Sequence, residues 1–410
     1  MSISFPRAAV WAVALLPSLA ATAPLSFDAA LELAARRSDA TRAARASALS
    51  ATQAAHAAAQ LPDPTLRLGI DNLPITGPDR FRTTGDMMTM KRIGISQEWL
   101  SADKRAARQA AADASVGLEA VRVRAAAADT RRQTALAYVE AFYVDESLKL
   151  AQLMAHHARE ELEASRARLA SATGNSQDVL ALAAARGASE DETADALQQQ
   201  EAASVAFQRW AGVPADDLLP PPAMPQPSEA AYVGAHPTVA AMQREVDVAR
   251  QAAAVTASDR KPNWTWELAY GQRTGASDMV SVGVSIPLPV APGQRQDRDT
   301  SARLALAEKA EAELAEATRA ATAEYRALRS DAQRLEQRIG RYRAGVVVPA
   351  GQRTVAATAA YQSSQGSLVA LFEARRAEVE ARRKLLTLQR DLARTQAQLA
   401  FRPLTAEVTQ

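Results

Sequence analysis

Three methionines, Met87, Met88 and Met90, are the side chains whose type and spacing come closest to a recognisable chemistry in this sequence. Thioether sulfur is a ligand for Cu(I), and if this stretch is a strand, Met88 and Met90 share one of its faces. Methionines in such clusters more commonly pack against apolar side chains or lipid, and we favour that interpretation. His156 and His157 are adjacent, so on a helix they point in different directions and form no ligand pair. We therefore predict no metal site and no cofactor.

The rest of the sequence has no motif for bond chemistry. It contains no Ser/His/Asp set, no phosphate-binding loop and no carboxylate pair that stands out. The chain has no cysteine, which excludes disulfides, thiolate metal sites and a lipid anchor on cysteine. A formal net charge of +2 gives no reason to expect nucleic acid as a partner. These features predict a protein that is not an enzyme.

Residues 1–23 have the three regions of a secretory signal peptide. Arg7 supplies the positive charge, an apolar run extends from Ala8 to Leu19, and Ala21-Thr22-Ala23 has the small residues of a cleavage site. The alternative is a membrane anchor, but the apolar run is short and contains Pro17. After residue 23 no apolar run approaches the roughly 20 residues of a membrane helix, so a membrane crossing would require a β-barrel. We expect the mature chain in the Gram-negative outer membrane.

Two stretches with strand periodicity interrupt an otherwise Ala-rich, helix-forming sequence. In the first, apolar residues at 66, 68 and 70 alternate with Arg67 and Asp71 at the intervening positions, which is the period of a half-buried strand. The second stretch repeats this pattern, with Val282-Gly283-Val284-Ser285 aligned on Ile93-Gly94-Ile95-Ser96. The alternation predicts strands over about 64–72, 87–99, 262–271 and 279–288.

Each strand pair is followed by a long helix, a short polar turn and a returning helix. The predicted helices cover 27–60, 101–171 and 178–210 in the first half, and 229–259, 297 onwards and 369–400 in the second. Pro349 is expected to bend the second long helix near its end. This is an internal duplication. The predicted segments are the signal peptide 1–23, a first repeat 24–210, a Pro-rich connector 211–228, a second repeat 229–402 and a C-terminal tail 403–410.

The duplication predicts a mainly α fold with a small β part, in which a long helical layer carries four strands at one end. The layer would contain four parallel rows of helix, which we call columns. Two columns would be single long helices, and in the other two, shorter helices would lie end to end: 178–210 with 229–259, and 369–400 with 27–60. Strands about ten residues long suit an outer-membrane barrel, but four strands cannot close and lipid does not tolerate their open edges. Three chains supply twelve strands and room for a lumen. We therefore predict a homotrimer with a shared 12-stranded transmembrane β-barrel and a trimeric α-barrel.

The sequence resembles the TolC-like outer-membrane efflux proteins over nearly all of the mature chain. The resemblance is carried by the duplicated plan and by Tyr361, Gly366 and Leu368, which are similar to the second helical turn of that family. Its heavy-metal branch, of the cobalt–zinc–cadmium type, is the most similar in local sequence. The segments concerned are Leu61-Pro-Asp-Pro, Asn72-Leu-Pro, Met88-Thr-Met and Ile93-Gly-Ile-Ser-Gln-Glu.

The resemblance implies a passive exit duct for divalent or heavy-metal cations in a tripartite efflux pump. Its partners would be a periplasmic adaptor (membrane fusion) protein, an inner-membrane transporter of the resistance-nodulation-division type, and outer-membrane lipid. The two turns would form the periplasmic tip that contacts the adaptor, at Gly174, Asn175, Ser176, Gln177, Ser364, Gln365, Gly366 and Ser367. Gly174 and Gly366 are expected to permit the reversal of the chain. Asp178 and Glu373 are the candidates for closing the aperture, although Ala370 replaces a family acidic position.

The alternation of the strands divides their residues into two sets. The set expected to face lipid is Leu66, Leu68, Ile70, Ile93, Ile95, Trp264, Trp266, Leu268, Val282 and Val284. The set expected to line the pore is Arg67, Asp71, Arg92, Thr265, Glu267, Ser281 and Ser285. A soluble sheet with one wet face has the same alternation, so the signal peptide, duplication and resemblance decide between the two.

Two other functions fit parts of the sequence. A drug-efflux or type I secretion duct has the same fold and differs only in cargo. A periplasmic coiled-coil adaptor also contains long helical hairpins, but it would have one hairpin flanked by compact β domains. This chain has two hairpins and isolated strand pairs, which favours the duct.

Overall fold

The computed structural model describes residues 24–404, so the predicted signal peptide and residues 405–410 of the tail lie outside the described residues. The chain is mainly helical, with one four-stranded sheet. Its helices and strands, in order, are α1 (Phe27–Arg37), α2 (Asp39–Ala58), β1 (Thr65–Asp71), β2 (Met90–Trp99), α3 (Ala102–Ala170), α4 (Ser176–Ala211), α5 (Glu229–Gly234), α6 (Pro237–Ser258), β3 (Trp264–Arg273), β4 (Met279–Ser285), α7 (Gln296–Tyr342), α8 (Val348–Gln362) and α9 (Leu368–Phe401).

Helix α3 determines the length of the molecule. Its 69 residues extend about 100 Å at ~1.5 Å per residue. The helix begins where Ser101 accepts a hydrogen bond from the backbone N–H of Lys104, a standard N-cap. Alanine at many positions favours the helix and lets its neighbours approach closely. The sheet lies at the N-terminal end of α3, and the turn to α4 lies at the other end.

The helices form four columns, and the end-to-end partners differ from the sequence prediction. Column one contains α4 and α1–α2, column two is α3, column three contains α9 and α5–α6, and column four is α7–α8. The prediction that α4 continues into 229–259 and that 369–400 continues into 27–60 is therefore wrong. The connector crosses α3 at Tyr138, whose hydroxyl shares its one proton between the carbonyl of Leu219 in the connector, at 2.7 Å, and that of Leu25, at 2.8 Å. This crossing carries the chain from column one to column three.

The main apolar core lies where the connector crosses. Phe27, Tyr138 and Phe207 stack edge to face, with ring centroids 5.2 and 5.9 Å apart. Met224 of the connector is buried in the same cluster. A second cluster, which includes Leu162, lies near the two helical turns. The connector is therefore an integral part of the packed layer.

Three breaks in the helices have local causes. Ser38 ends α1 and caps α2, and its hydroxyl also lies 2.8 Å from that of Thr130. Pro237 begins α6 and separates it from α5, so 229–259 is not one helix. A π-helical turn over Arg343–Val347 joins α7 to α8 directly before Pro349, where the sequence predicts a bend. The first repeat has no such π turn, since α3 is continuous.

The sheet is antiparallel throughout, in the order β1-β2-β3-β4. Strand β2 begins at Met90 and not at residue 87, because Asp86 accepts a hydrogen bond from the N–H of Met88 at 2.9 Å and holds a turn. Strand β4 ends at Ser285 and not at residue 288, since Pro287 and Pro289 follow and cannot donate to a ladder. Within residues 24–404, no helix combines the length and the apolar character needed to cross a membrane.

Candidate functional site: the two-faced sheet and the helical turns

One face of the sheet is apolar and open to its surroundings. The register places Leu66 opposite Ile95, Ile95 opposite Leu268, and Leu268 opposite Val282, so these side chains share a face across all four strands. Val282 is 76% exposed. All ten residues predicted to face lipid lie on this face. Its width and exposure exceed what the surface of a soluble domain ordinarily shows.

The opposite face is charged. It contains all seven residues predicted to line the pore: Arg67, Asp71, Arg92, Thr265, Glu267, Ser281 and Ser285. Four of them form a network in which Glu267 accepts from Arg92 at 2.7 Å and from Arg67 at 3.2 Å. Arg92 also lies 3.7 Å from Asp71. The two predicted sets thus lie on opposite faces of the sheet, and their contact with lipid and with a pore stays a prediction.

Small residues occupy the centre of the charged face. A Cβ on Gly94 would lie 2.9 Å from that of Ala269, which is closer than real Cβ atoms approach. A Cβ on Gly271 would meet the side chain of Met90, which lies across that glycine. Long side chains such as Arg92 can therefore lie flat over the strands and reach their partners.

The methionines are not arranged as the sequence indicated. Met90 is on the charged face, whereas Met87 and Met88 lie in the turn before β2 and are exposed. Met88 and Met90 therefore share no strand face. Among the described residues no group of three or more His, Cys, Asp or Glu side chains is arranged to hold a metal ion.

Lys104 connects the sheet to the helices, a role that nothing in the sequence indicated. Its side chain is 3% exposed, and its ammonium donates to Asn263 at 2.7 Å and lies 3.2 Å from Asp259. Asn263 in turn donates to Glu98 at the end of β2, at 2.7 Å. The network joins the start of α3, the end of α6 and strands β2 and β3. It fixes the orientation of the sheet relative to the columns.

The two helical turns have the same structure, as the duplication predicts. Asn175 and Ser367 occupy equivalent positions, and each caps the helix that follows. The left-handed residues are Ala172 and Ser364, with φ of 57° and 61°. The glycines were expected to permit the reversal of the chain through their own backbone conformation. Their role is instead to let two backbone segments of the turn approach closely. A Cβ on Gly174 would lie 2.6 Å from the backbone nitrogen of Leu169.

The predicted tip residues are at the end of the molecule that is farthest from the sheet. The two turns lie side by side, with Asp178 and Ser367 lining the same small cleft. Glu373 is exposed one turn further along α9 and does not line that cleft. The structure therefore does not bring the two aperture candidates together within one chain.

A buried ion pair near the turns was missed from the sequence. Glu161 on α3 is 3% exposed and accepts from Arg375 on α9 at 2.8 Å. Burial raises the pKa of Glu161 to about 7, against the opposing effect of Arg375. Burial, and then the positive charge of Arg375, lowers the pKa of the neighbouring His157. Nothing in the sequence around Glu161 distinguishes it from the exposed carboxylates of α3, so only the packing of α9 reveals its burial.

Comparisons with known proteins find matches in structure alone. No family model matches the sequence, and no curated protein does. The chain is similar to the Campylobacter jejuni CmeC outer membrane channel, with a TM-score of 0.75 and 12% identity over 99% of this chain and 96% of that one. It is similar to the open state of the Neisseria gonorrhoeae MtrE outer membrane channel, with a TM-score of 0.73 and 15% identity over 92% and 88%.

A third similar structure is the outer membrane protein VceC from Vibrio cholerae. Its TM-score is 0.69, with 18% identity over 90% of this chain and 96% of VceC. The likeness extends over nearly the whole of each protein, so the mainly helical fold with one small antiparallel sheet is the fold of these outer-membrane channels. At such low identity the likeness concerns the fold, and function has to be argued from the surfaces described above.

Proposed function

We propose that this chain is an outer-membrane channel, the passive exit duct of a tripartite efflux system. The observation that carries the proposal is the sheet with one exposed apolar face and one charged face. An apolar face of this extent is stable next to lipid, and a charged face is stable next to water. Such a duct performs no bond chemistry, which agrees with the lack of catalytic motifs in the sequence.

The edges of the sheet support an assembly of several copies. Strands β1 and β4 each pair on one side only among residues 24–404. Unpaired backbone groups are too costly in lipid, so β4 of one copy would pair with β1 of the next. Two copies would make eight strands with a filled interior, whereas three make twelve strands and leave a lumen. We propose the homotrimer, with the charged face lining the shared pore.

The helical turns are the proposed contact with a periplasmic adaptor protein, which in turn would connect to an inner-membrane transporter of the resistance-nodulation-division type. This part of the proposal is supported by position, since the turns lie at the far end of helices about 100 Å long. Their polar side chains are mostly exposed. An aperture closed by Asp178 and Glu373 would have to form between neighbouring copies.

We propose divalent or heavy-metal cations as the cargo. The support is the local sequence similarity around Met88-Thr-Met and Ile93-Gly-Ile-Ser-Gln-Glu, because the charged face itself carries balanced charges. A deletion strain should lose tolerance to zinc, cobalt, cadmium or copper. Loss of drug tolerance with normal metal tolerance would replace the metal assignment with a drug-efflux duct.

Adjacent residues of β4 provide a direct test of the two faces. The chain has no cysteine, so Ser281→Cys and Val282→Cys each introduce a single thiol, on the charged and the apolar face. In outer-membrane vesicles, a charged water-soluble maleimide should label the Ser281→Cys variant and not the Val282→Cys variant. A membrane-permeant maleimide should label both. Equal labelling of both variants by the charged reagent would contradict a lipid-facing sheet.

A further inference from the structure

The two outer columns of the helical layer each lack a neighbour on one side. Column two and column three are flanked on both sides, whereas α4 contacts mainly α3, and α8 contacts α9. The helices alternate in direction across the layer, since each turn reverses the chain. A second copy placed with its α4 beside α8 would continue that alternation around a ring.

Helix α4 has two faces at heptad spacing, and one of them has no partner among residues 24–404. Leu182, Ser189, Ala196 and Ala203 recur every seven residues and are buried. A second set, spaced four and three residues apart, is exposed along the whole helix: Leu180, Ala184, Gly187, Asp191, Ala194, Gln198, Glu201 and Val205. This second set has the spacing of a coiled-coil seam.

The charge on α4 is strongly acidic. The helix has two arginines, Arg186 and Arg209, against six acids: Asp178, Glu190, Asp191, Glu192, Asp195 and Glu201. Three of the acids, Asp191, Asp195 and Glu201, are exposed and take part in none of the ion pairs formed within residues 24–404. Asp191 and Glu201 belong to the second set, and Asp195 lies beside it, one turn after Asp191; these carboxylates repel one another unless an opposite charge is near.

The other open column has the opposite charge at its end. Between Arg329 and Gln362 there are two acids, Asp331 and Glu336, and six arginines: Arg329, Arg334, Arg338, Arg341, Arg343 and Arg353. Arg334, Arg338 and Arg341 are spaced four and three residues apart, so they form a row on one face of α7. All three are exposed, and none of them forms an ion pair in the described part of the chain.

The two charged rows overlap in height above the turns. At ~1.5 Å per residue, Asp191, Asp195 and Glu201 lie about 23, 29 and 38 Å from the start of α4. Counted back from the end of α8, Arg341, Arg338 and Arg334 lie about 32, 36 and 42 Å from the adjacent turn. The acidic and basic rows therefore overlap along the helix axis.

Exposed leucines on the two outer columns also lie at similar distances from the sheet end of the layer. Leu49 of α2, in the α4 column, is 62% exposed and lies about 14 Å from the sheet end of its helix. Leu304 and Leu306 of α7 are 57% and 49% exposed and lie about 12 and 15 Å from the corresponding end. Each outer column therefore carries exposed apolar surface near its sheet end.

We propose that α4 of one copy packs antiparallel against the α7–α8 column of the next copy, and that Asp191, Asp195 and Glu201 meet Arg334, Arg338 and Arg341 across this interface. The proposal rests on the ring of copies proposed above and specifies which surfaces close it. Complementary charge rows select the correct neighbour and register more than they add affinity. The apolar residues of the second α4 seam and Val348 and Val355 of α8 would supply contact area.

Charge reversal tests the pairing. One variant reverses the acidic row, Asp191→Arg, Asp195→Arg and Glu201→Arg, and a second reverses the basic row, Arg334→Glu, Arg338→Glu and Arg341→Glu. A third variant combines both sets. Mass measured by light scattering after detergent extraction should show that each row reversed alone lowers the trimer-to-monomer ratio about tenfold or more, while the combination restores it to within about twofold of the native protein.

A matched control reverses three exposed charges on α3, an inner column: Arg159→Glu, Glu163→Arg and Arg166→Glu. It should leave the trimer intact. Helical content measured by circular dichroism separates loss of assembly from loss of folding, and restoration in the combined variant does so independently. Trimers that survive reversal of either row would overturn the interface. A native protein that forms no trimer would instead refute the proposed assembly itself.

Discussion

Glu161 provides the sharpest thermodynamic test of the helical layer. Its buried carboxylate has one partner, Arg375, and its Oε2 atom has none among the described residues. Burial raises its pKa from 4.5 to about 7, which exceeds the opposing effect of Arg375. The perturbation is Glu161→Gln, which keeps the shape of the side chain and removes its charge.

The expected effect depends on pH in a definite direction. The folded protein binds the Glu161 carboxyl proton more tightly than the unfolded chain does. Protonated Glu161 therefore contributes its full stabilisation below pH 4.5, and this stabilisation is lost as the pH rises to about 7. At 1.36 kcal/mol per pKa unit the effect is ~3 kcal/mol. The Glu161→Gln protein should therefore resist opening by ~3 kcal/mol more than the native protein at pH 8, and differ by less than ~1 kcal/mol at pH 5.

Hydrogen exchange of peptides that cover residues 155–168 measures this opening free energy once intrinsic exchange rates are corrected for pH. His157 has a lowered pKa, so its titration opposes folding as the pH falls below 6.5, but it does so in both proteins and cancels. Glu163→Gln, which changes an exposed carboxylate on the same helix, should change nothing. If Glu161→Gln is less protected than the native protein at pH 8, the ion pair is net stabilising and the reasoning fails.

Four further substitutions test local structure. Gly174→Ala should destabilise the first turn by ~1–3 kcal/mol, because the added Cβ would clash with the backbone of Leu169. Gly117→Ala should instead stabilise α3 by ~0.5–1 kcal/mol, because the added Cβ has room beside Arg244. Hydrogen exchange in peptides around each site measures both effects. Tyr138→Phe should cost ~1–3 kcal/mol by leaving the Leu219 carbonyl without its donor, and this should appear as faster exchange in the connector. Lys104→Met should cost ~2 kcal/mol, mainly through its hydrogen bond to Asn263, and should appear as faster exchange at the start of β3.

The sequence predicted those features that depend on local periodicity. Alternation in β1 and β4 placed Arg67 and Ser281 on one face and Leu66 and Val282 on the other, because side chains in a strand alternate regardless of what the sheet packs against. The duplication likewise predicted two turns of the same kind. Both results follow from patterns within short segments.

Features that depend on long-range packing were not predictable in the same way. The end-to-end partners were wrong because the connector crosses α3 at Tyr138, whose hydroxyl contacts the Leu219 carbonyl 81 positions away in the sequence. Lys104 and Glu161 looked like ordinary helix residues until their neighbours were placed. The role of Gly174 was misjudged because its φ is not positive, and only the proximity of Leu169 explains the glycine.

The central claim is that copies of this chain form a water-filled pore across a lipid bilayer. Single-channel conductance of the detergent-extracted protein in a planar bilayer tests it most directly. The account predicts stepwise, ohmic conductance from an SDS-resistant trimer, with reduced steps after a charged maleimide modifies the Ser281→Cys variant. Recovery of the protein as a soluble monomer that produces no conductance would contradict the claim and favour a periplasmic adaptor.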